Sequence, residues 1–460
     1  MSRIYERIRY YRDKTPENKA FTFRTGDHYE SIDYADLYDQ VNILSEGLAV
    51  YKGRTIAVIG NNKLEYALSL LAVLCRVGKA FLIDKELSSE DILKIFEQKK
   101  PELIILDEEL GLSFDGYRVL TFNEIGAMLK GSRNAKAEEP GSADASFAGR
   151  LILHTSGTTG EPKCVSLSEE NYYGVIPELN RKWKVVAEHS CLFIIPLYHI
   201  YALTSLFHGL YAGINNILEW DFKRLGTVLA ETRPCLFMGV PLMYNRIMNA
   251  VPRDSIPAYF GGNYVFGVTA GSLMPYETAA FFNGLGLPVY NVYGMTETSG
   301  PIAINYRDHN RYESVGEILD INEVVIKDPD EDGTGRICVK GSNVFDGYLN
   351  DDESIADDGF FDTGDIGYIK EGYLYVTGRK KNLIVGSNGK NISPEELNRK
   401  LMLCGNIDDC NVIMENDRLT AVVNTVMSEE ELKACIDELN KNLPAYKRIS
   451  GFRITDKNIK

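Results

Sequence analysis

Short continuous apolar runs alternate with stretches of helical spacing through the first part of the chain. Thr55-Ile-Ala-Val-Ile-Gly60 reads as a buried strand ending in glycine. A Leu- and Ala-rich helix follows to Gly78, then the strand Ala80-Phe-Leu-Ile-Asp84, a helix from Ser88 and the strand Leu103-Ile-Ile-Leu106. Strands and helices in alternation, with short connections, predict a parallel sheet with helices on its faces. Ahead of this unit, Phe21-Thr22-Phe23 and Tyr29-Glu30-Ser31-Ile32 flank Gly26-Asp27 as a hairpin. Asp33-Tyr34-Ala35-Asp36 then opens a helix whose Leu37, Val41, Leu44 and Leu48 fall near one face.

The segment from Gly131 to Gly149 is polar, alanine-rich and aperiodic, and reads as a linker or mobile surface segment. Leu151-Ile-Leu153 then opens a second α/β unit, with strands expected at Cys191–Ile195, Asn216–Leu218, Cys235–Met238, Tyr264–Phe266 and Val289–Val292. From Ser314 to Tyr375 the pattern changes to short alternating strands with Gly/Asp turns, including Val324–Ile326 and Arg336–Val339, which predicts a small β unit. The end of the chain reads as a helix from Glu395, strands near Val412 and over Leu419–Val423, and a helix from Ser428. No internal repeat is present. The expected fold class is α/β: a large N-terminal domain, residues 1–378, of two doubly wound sheets plus a small β unit. A small mobile α+β C-terminal domain covers residues 379–460.

At 460 residues the chain is long enough for more than one core. A net charge of −15 argues against nucleic acid or an anionic membrane as the main partner. Eight cysteines scattered from Cys75 to Cys435 include no C-x-x-C pair, and the nearest two, Cys404 and Cys410, have no histidine beside them. All eight are expected to be reduced thiols in a reducing compartment. The N-terminus lacks an apolar signal region, and no apolar run approaches the ~18 residues a membrane span needs. The expected location is the cytoplasm.

Chemistry concentrates where the run Leu151-Ile-Leu153-His154 opens into Thr155, Ser156, Gly157, Thr158, Thr159 and Gly160, with Lys163 three residues beyond. Small residues let a backbone approach a ligand closely, and glycines allow turns that aim successive N–H groups at one centre. Hydroxyls add donors and Lys163 adds a mobile positive charge, so the stretch has the chemistry of a polyphosphate cradle. Its spacing is not that of a Walker loop, which places lysine directly after its second glycine. The string Thr-Ser-Gly-Thr-Thr-Gly-x-Pro-Lys resembles the nucleotide-phosphate loop of adenylate-forming enzymes: acyl- and aryl-CoA synthetases, luciferases and peptide-synthetase adenylation domains.

Further motifs stand in that family's order along the chain. Asn291-Val-Tyr293-Gly294-Met-Thr296-Glu297-Thr298 follows a buried strand, and strand ends of open α/β sheets are where ligands dock. Its similarity to the family's N-x-Y-G-x-T-E motif implies adenine contacts from Asn291 and Tyr293, α-phosphate contact from Thr296 and Mg²⁺ on Glu297. Gly271 and Ser272 lie in a stretch that resembles the adenine-side loop. Phe361-Asp362-Thr363-Gly364-Asp365 resembles the T-G-D motif, which implies that Asp365 accepts the ribose hydroxyls. Gly378-Arg379-Lys380-Lys381 resembles the interdomain hinge, with Arg379 toward ribose or phosphate and Lys381 at the pivot. Gly389 falls in a loop similar to one that lines the thiol-entry tunnel after rotation. Pro196-Leu197-Tyr198-His199 resembles the P-L-x-H segment that borders the acid pocket in acyl- and aryl-CoA ligases, and Val240, Pro241 and Tyr244 are expected to line the same pocket.

The resemblance spans nearly the whole chain and is closest to the AMP-forming acyl-CoA synthetase branch. It implies ATP, Mg²⁺ and CoA, or a phosphopantetheine, as cofactors. It also implies activation of an aliphatic or aryl acid as acyl-AMP, followed by transfer to a thiol. Alternatives are a module that loads a carrier protein and a non-catalytic acyl-nucleotide binding protein. One departure stands out. The family's terminal Gly-Lys segment has no counterpart in Ile454-Thr-Asp-Lys457-Asn-Ile-Lys460. The expected lysine falls just past Lys460, or Lys457 or Lys460 takes its place, or adenylation is weak.

Overall fold

The computed structural model describes residues 2–131, 149–155, 163–349, 355, 358–385, 391–402, 406–415 and 418–455. The expected linker, over 132–148, therefore lies outside the described residues. A six-stranded sheet runs in the order Val119–Thr121, Leu103–Leu106, Thr55–Ile59, Lys79–Leu82, Arg150–Thr155, Lys163–Leu167. All its pairings are parallel except the last. The strand Arg150–Thr155, expected to open the second unit, instead completes the first, with Ala80 opposite Leu151 and Phe81 opposite Ile152. Its apolar run identifies a buried strand but not its neighbour; the edge of Lys79–Leu82 takes it.

The second sheet has thirteen strands. Its parallel centre is formed by Phe266–Thr269, Leu236–Gly239, Ser190–Phe193 and Asn215–Leu218, joined on one side by Val289–Met295. The N-terminal hairpin, Lys19–Thr25 with His28–Asp33, extends the other side, Phe21 lying opposite Asn216. The expected small β unit is the antiparallel wing of this same sheet, reached from Val289–Met295 through Gly300–Ile304 and Gly316–Ile318.

Strand alternation sorts the side chains into separate cores. Val58, Leu82 and Leu153 of the first sheet share one cluster with Phe193, Met238 and Val268 of the second. Between the sheets lie the helices Leu64–Ala72 and Ile200–Ala212, buried on almost every side. That burial matches sequences with no continuous polar face. The opposite face of the first sheet packs Ile59, Phe81 and Ile152 against Ile92 and Phe96. The opposite face of the second packs Leu192, Phe237 and Val289 against Leu229, Tyr244 and Phe282.

Residues beyond Ile384 build a core of their own. Helices Pro394–Met402 and Glu429–Lys441 contribute Leu397, Leu401, Leu432 and Ile436, and the strands Ile407–Glu415 and Arg418–Thr425 contribute Val412, Ala421 and Val423. Ser428 and Glu431 form a capping box at the start of the second helix. Six of the described cysteines are free thiols. Cys435 is disulfide-bonded, which corrects the expectation of eight reduced thiols; Cys404 lies outside the described residues. Disulfide pairing needs Cα atoms within about 7 Å in space, a proximity that spacing along the chain does not report. Among the described residues no helix is long and apolar enough to cross a membrane.

One buried amide joins the sheets at their strand ends. Asn62, just past Thr55–Ile59, donates from Nδ2 to the carbonyls of Phe193 (3.3 Å), Ile195 (2.9 Å) and Glu219 (3.3 Å). Its Oδ1 accepts the Leu197 N–H at 2.9 Å. Replacing Asn62 with leucine removes those bonds at a site 2% exposed. Asn62→Leu is expected to destabilise the protein by about 3 kcal/mol, because buried backbone groups lose their partners. Urea unfolding checks this; a midpoint equal to that of the wild type would show that the amide does not join the sheets.

Candidate nucleotide and acid site

The phosphate-loop strands place their lysine by register. Thr155 lies opposite Lys163 at the open end of the antiparallel pair Arg150–Thr155 and Lys163–Leu167. Of the expected cradle, Ser156, Gly157, Thr158, Thr159 and Gly160 lie outside the described residues, and Thr155 is described through its backbone. The Lys163 ammonium sits 4.5 Å from the centre of the Tyr348 ring.

Across from it, Thr296–Thr298 forms one turn of 3-10 helix after the strand Val289–Met295. The strand must then reverse onto Gly300–Ile304, and Gly294 allows this: a Cβ there would lie 1.9 Å from the Gly300 carbonyl oxygen. Glu297 in the turn is 9% exposed, and its Oε1 accepts the Tyr348 hydroxyl at 2.8 Å. Thr296 is half-buried beside it. Among the described residues no group of three or more His, Cys, Asp or Glu comes together as a metal cage. Glu297 has the hard carboxylate oxygens that suit Mg²⁺, an ion commonly held by one or two carboxylates and substrate phosphates.

Gly271, Ser272, Asn291, Tyr293, Gly294, Asp365 and Arg379 all line a single cavity of about 780 Å³. Gly271 turns the chain there at a φ of +85°, a conformation that favours glycine. Asp365 and Arg379 meet because they are opposite one another on the antiparallel strands Phe361–Lys370 and Tyr373–Arg379. Arg379 Nε lies 2.9 Å from Asp365 Oδ1, and the Tyr293 hydroxyl donates to Oδ2 at 2.7 Å. The carboxyl is 4% exposed. Burial raises its pKa, while Tyr293 and Arg379 oppose the rise.

Asn291 is buried at the cavity wall. Its Nδ2 reaches the Ser314 carbonyl at 3.5 Å, whereas its Oδ1 has no hydrogen-bond partner. An unpaired buried acceptor is costly and calls for a donor. The exocyclic amine of adenine is one. The cavity volume, this acceptor and the Asp365 carboxylate together fit an adenosine.

His199 precedes the helix Ile200–Ala212, in the segment that Asn62 anchors through Leu197. Its ring packs 4.6 Å from the Tyr198 ring. The residue reaches solvent, yet the surroundings of the imidazole lower its pKa, burial outweighing the nearby Asp84 charge. His154 is kept neutral in the same way: burial lowers its pKa first, Asp84 opposes this, and His199 adds to it. The Asp84 N–H donates to His154 Nε2 at 3.2 Å. Burial also pushes the Tyr198 phenol well up, with Asp84 adding to the rise. His154 and Asp84 were not among the expected site residues, although His154 directly precedes the loop, and Tyr198 was named only as part of the segment that ends in His199. Tyr348 was also missed; its only signal was the adjacent Gly347.

Val240 is half-buried and Pro241 starts a helix, but Tyr244 is fully buried with its hydroxyl on the Phe237 and Val268 carbonyls. Tyr244 therefore belongs to the core behind the sheet and not to a pocket wall. Lys381 is exposed in the turn Lys380–Asn382. Gly389, Lys457 and Lys460 lie outside the described residues.

Comparison with known proteins places these features in context. A family model described as AMP-binding enzyme matches residues 9–349. A 2-succinylbenzoate–CoA ligase of Enterococcus faecalis is 28% identical over 458 residues, covering 95% of this chain and 91% of the relative. A long-chain-fatty-acid–CoA ligase of Xenopus laevis is 24% identical over 461 residues, covering 82% and 62%. The crystal structure of ATP-bound MatB from Rhodopseudomonas palustris shares the fold, with a TM-score of 0.82 at 24% identity over 99% of this chain and 95% of that one. MenE from Bacillus subtilis, in complex with the acyl-adenylate OSB-AMP, has a TM-score of 0.78, also at 24% identity, over 99% and 95%.

Asp365→Ala removes the common acceptor of Tyr293 and Arg379 at the cavity wall. ATP affinity is expected to fall at least about tenfold, since a hydrogen bond to a charged group contributes about 1.5 kcal/mol or more. Calorimetric titration with ATP measures it, and an unchanged dissociation constant would remove Asp365 from the nucleotide site.

Proposed function

Because the chain belongs to the AMP-binding enzyme family, we propose that it is an AMP-forming ligase that joins a carboxylic acid, aliphatic or aryl, to the thiol of CoA. In the first step a carboxylate oxygen of the acid bonds to the α-phosphorus of ATP, and the bond from that phosphorus to the pyrophosphate oxygen breaks. In the second step the thiolate sulfur bonds to the acyl carbon and AMP leaves. The observation that carries the reading is the cavity in which the unpaired Asn291 acceptor and the Asp365–Arg379 pair stand side by side. CoA is the acceptor favoured by the relatives, two of which are named as CoA ligases.

The residues divide the work by charge. Lys163, with the hydroxyls and amides of residues 155–160, neutralises the leaving phosphates. Asn291 and Tyr293 hold the base, Asp365 accepts the ribose hydroxyls, and Arg379 keeps that carboxylate in place. Thr296 donates to the α-phosphate. Mg²⁺ on Glu297 supplies positive charge that draws electron density from the α-phosphate when bound. His199, kept neutral, borders the acid without adding a charge. Positioning and preorganised charge provide most of the rate in such chemistry.

We also assign residues 1–378 to a nucleotide- and acid-binding domain and residues 379–460 to a second domain that turns about Lys381. Such a turn would bring the Gly389 loop to the site for the thiol step. One site then serves two transition states of different shape.

Mass spectrometry of protein, ATP, Mg²⁺ and CoA with a pool of acids, including 2-succinylbenzoate and long-chain fatty acids, tests the reading. An acyl-CoA product is expected, and the absence of both acyl-CoA and acyl-AMP across the pool would refute it. Glu297→Gln is expected to slow pyrophosphate release by about 100-fold while changing ATP affinity in EDTA little; unchanged turnover would take Glu297 out of the mechanism. Lys381→Pro is expected to leave pyrophosphate release near wild type and slow thioester formation by about tenfold or more. Equal loss in both half-reactions, followed separately by stopped assays, would count against the hinge.

A further inference from the structure

Tyr348 touches two charged groups of the candidate site, Glu297 and Lys163, from a segment far from either in sequence. Its hydroxyl donates to Glu297 Oε1 at 2.8 Å, and the Lys163 ammonium lies 4.5 Å from its ring centre. The backbone around it is stapled to the same two elements. The Phe345 N–H donates to the Glu297 carbonyl at 2.8 Å, the Leu349 N–H donates to the Cys164 carbonyl at 3.0 Å, and Tyr348 itself bridges Val165. Gly347, at a φ of +141°, lets the chain turn between these anchors. Phe345 packs edge-on against the ring at 4.9 Å. A tyrosine that merely filled space would not need its hydroxyl aimed at a buried carboxylate.

We propose that Tyr348 is a positioning residue that sets Glu297 and Lys163 as one unit, an inference that rests on the functional reading above. The phenol hydroxyl holds one carboxylate oxygen, which orients the other for a divalent cation. The negative face of the ring attracts the ammonium, which keeps Lys163 beside Glu297 before phosphate arrives. The group that holds the cation and the group that meets the leaving phosphates are thereby placed together.

Tyr348→Phe keeps the ring and removes the hydroxyl. Its half-saturating Mg²⁺ for pyrophosphate release is expected to rise about tenfold, the effect of one lost hydrogen bond to a charged group, with ATP affinity in EDTA unchanged. Tyr348→Leu, which also removes the ring face, is expected to weaken ATP binding in EDTA as well. In a Glu297→Gln background, Tyr348→Phe should add nothing. A wild-type Mg²⁺ requirement in Tyr348→Phe, or the same shift in the Glu297→Gln background, overturns the proposal. Calorimetry of ATP binding with Mg²⁺ and with EDTA reads the same comparison without turnover. A wild-type protein that binds ATP more tightly with Mg²⁺ yet releases no pyrophosphate with any acid would refute the functional reading alone. A wild-type protein that does not bind ATP would overturn both.

Discussion

The site depends on how two sheets are held at their strand ends, and the Asn62 side chain does this with four hydrogen bonds. Apolar burial between the sheets is large but non-directional; it brings the sheets together without setting their offset. A buried amide whose donors and acceptor are all matched sets that offset, because a shift leaves polar groups unpaired. The carbonyls it binds belong to Phe193, Ile195 and Glu219, and the N–H to Leu197, two residues before His199. The segment that borders the proposed acid pocket is thus fixed to the sheet that carries the phosphate loop.

Register then gathers the charged groups. Thr155 faces Lys163 and Asp365 faces Arg379 across antiparallel ladders, and Tyr348 bridges to Val165. Each pairing brings a residue on one strand to its partner with little freedom left to lose on binding. An acidic chain with a net charge of −15 must collect its cations locally to bind a polyphosphate, and Lys163 and Arg379 are the cations assigned to that task in the proposed nucleotide site. Each meets a counterpart there: Arg379 pairs with Asp365, and Lys163 rests on a ring that also binds Glu297. Around the proposed acid pocket the polarity is reversed. Their surroundings lower the pKa of His154 and His199 despite the nearby Asp84 charge, which favours imidazoles that offer hydrogen bonds without adding a positive charge beside Lys163.

Several elements, and several residues that share one cavity, were legible before folding. Continuous apolar runs marked the buried strands at Thr55–Ile59 and Leu103–Leu106, and the helices expected from Ser88 and Ser428 do begin there, each serine standing at the N-cap. Gly271, Asn291, Tyr293, Asp365 and Arg379 were named from motifs and do line one cavity. The strand neighbours were less legible. Arg150–Thr155 was assigned to the wrong sheet, the β unit proved to be a wing of the second sheet, Tyr244 was core, and Cys435 was disulfide-bonded.

By itself the sequence determined the periodicity of each element, the candidate residues for phosphate, base and ribose, and the order in which those motifs occur. These are local properties, governed by backbone preference, burial of alternate side chains and the chemistry of single groups. Only the tertiary structure decided which strand edges meet, that Asn62 spans two sheets, that Asn291 is left with an unpaired acceptor and that Tyr348 reaches Glu297. Those contacts join residues as far apart as 51 positions for Tyr348 and Glu297 and 157 for Asn62 and Glu219. Local preference carries no term for such distances; which groups meet is settled by the packing that closes the whole chain around a common core.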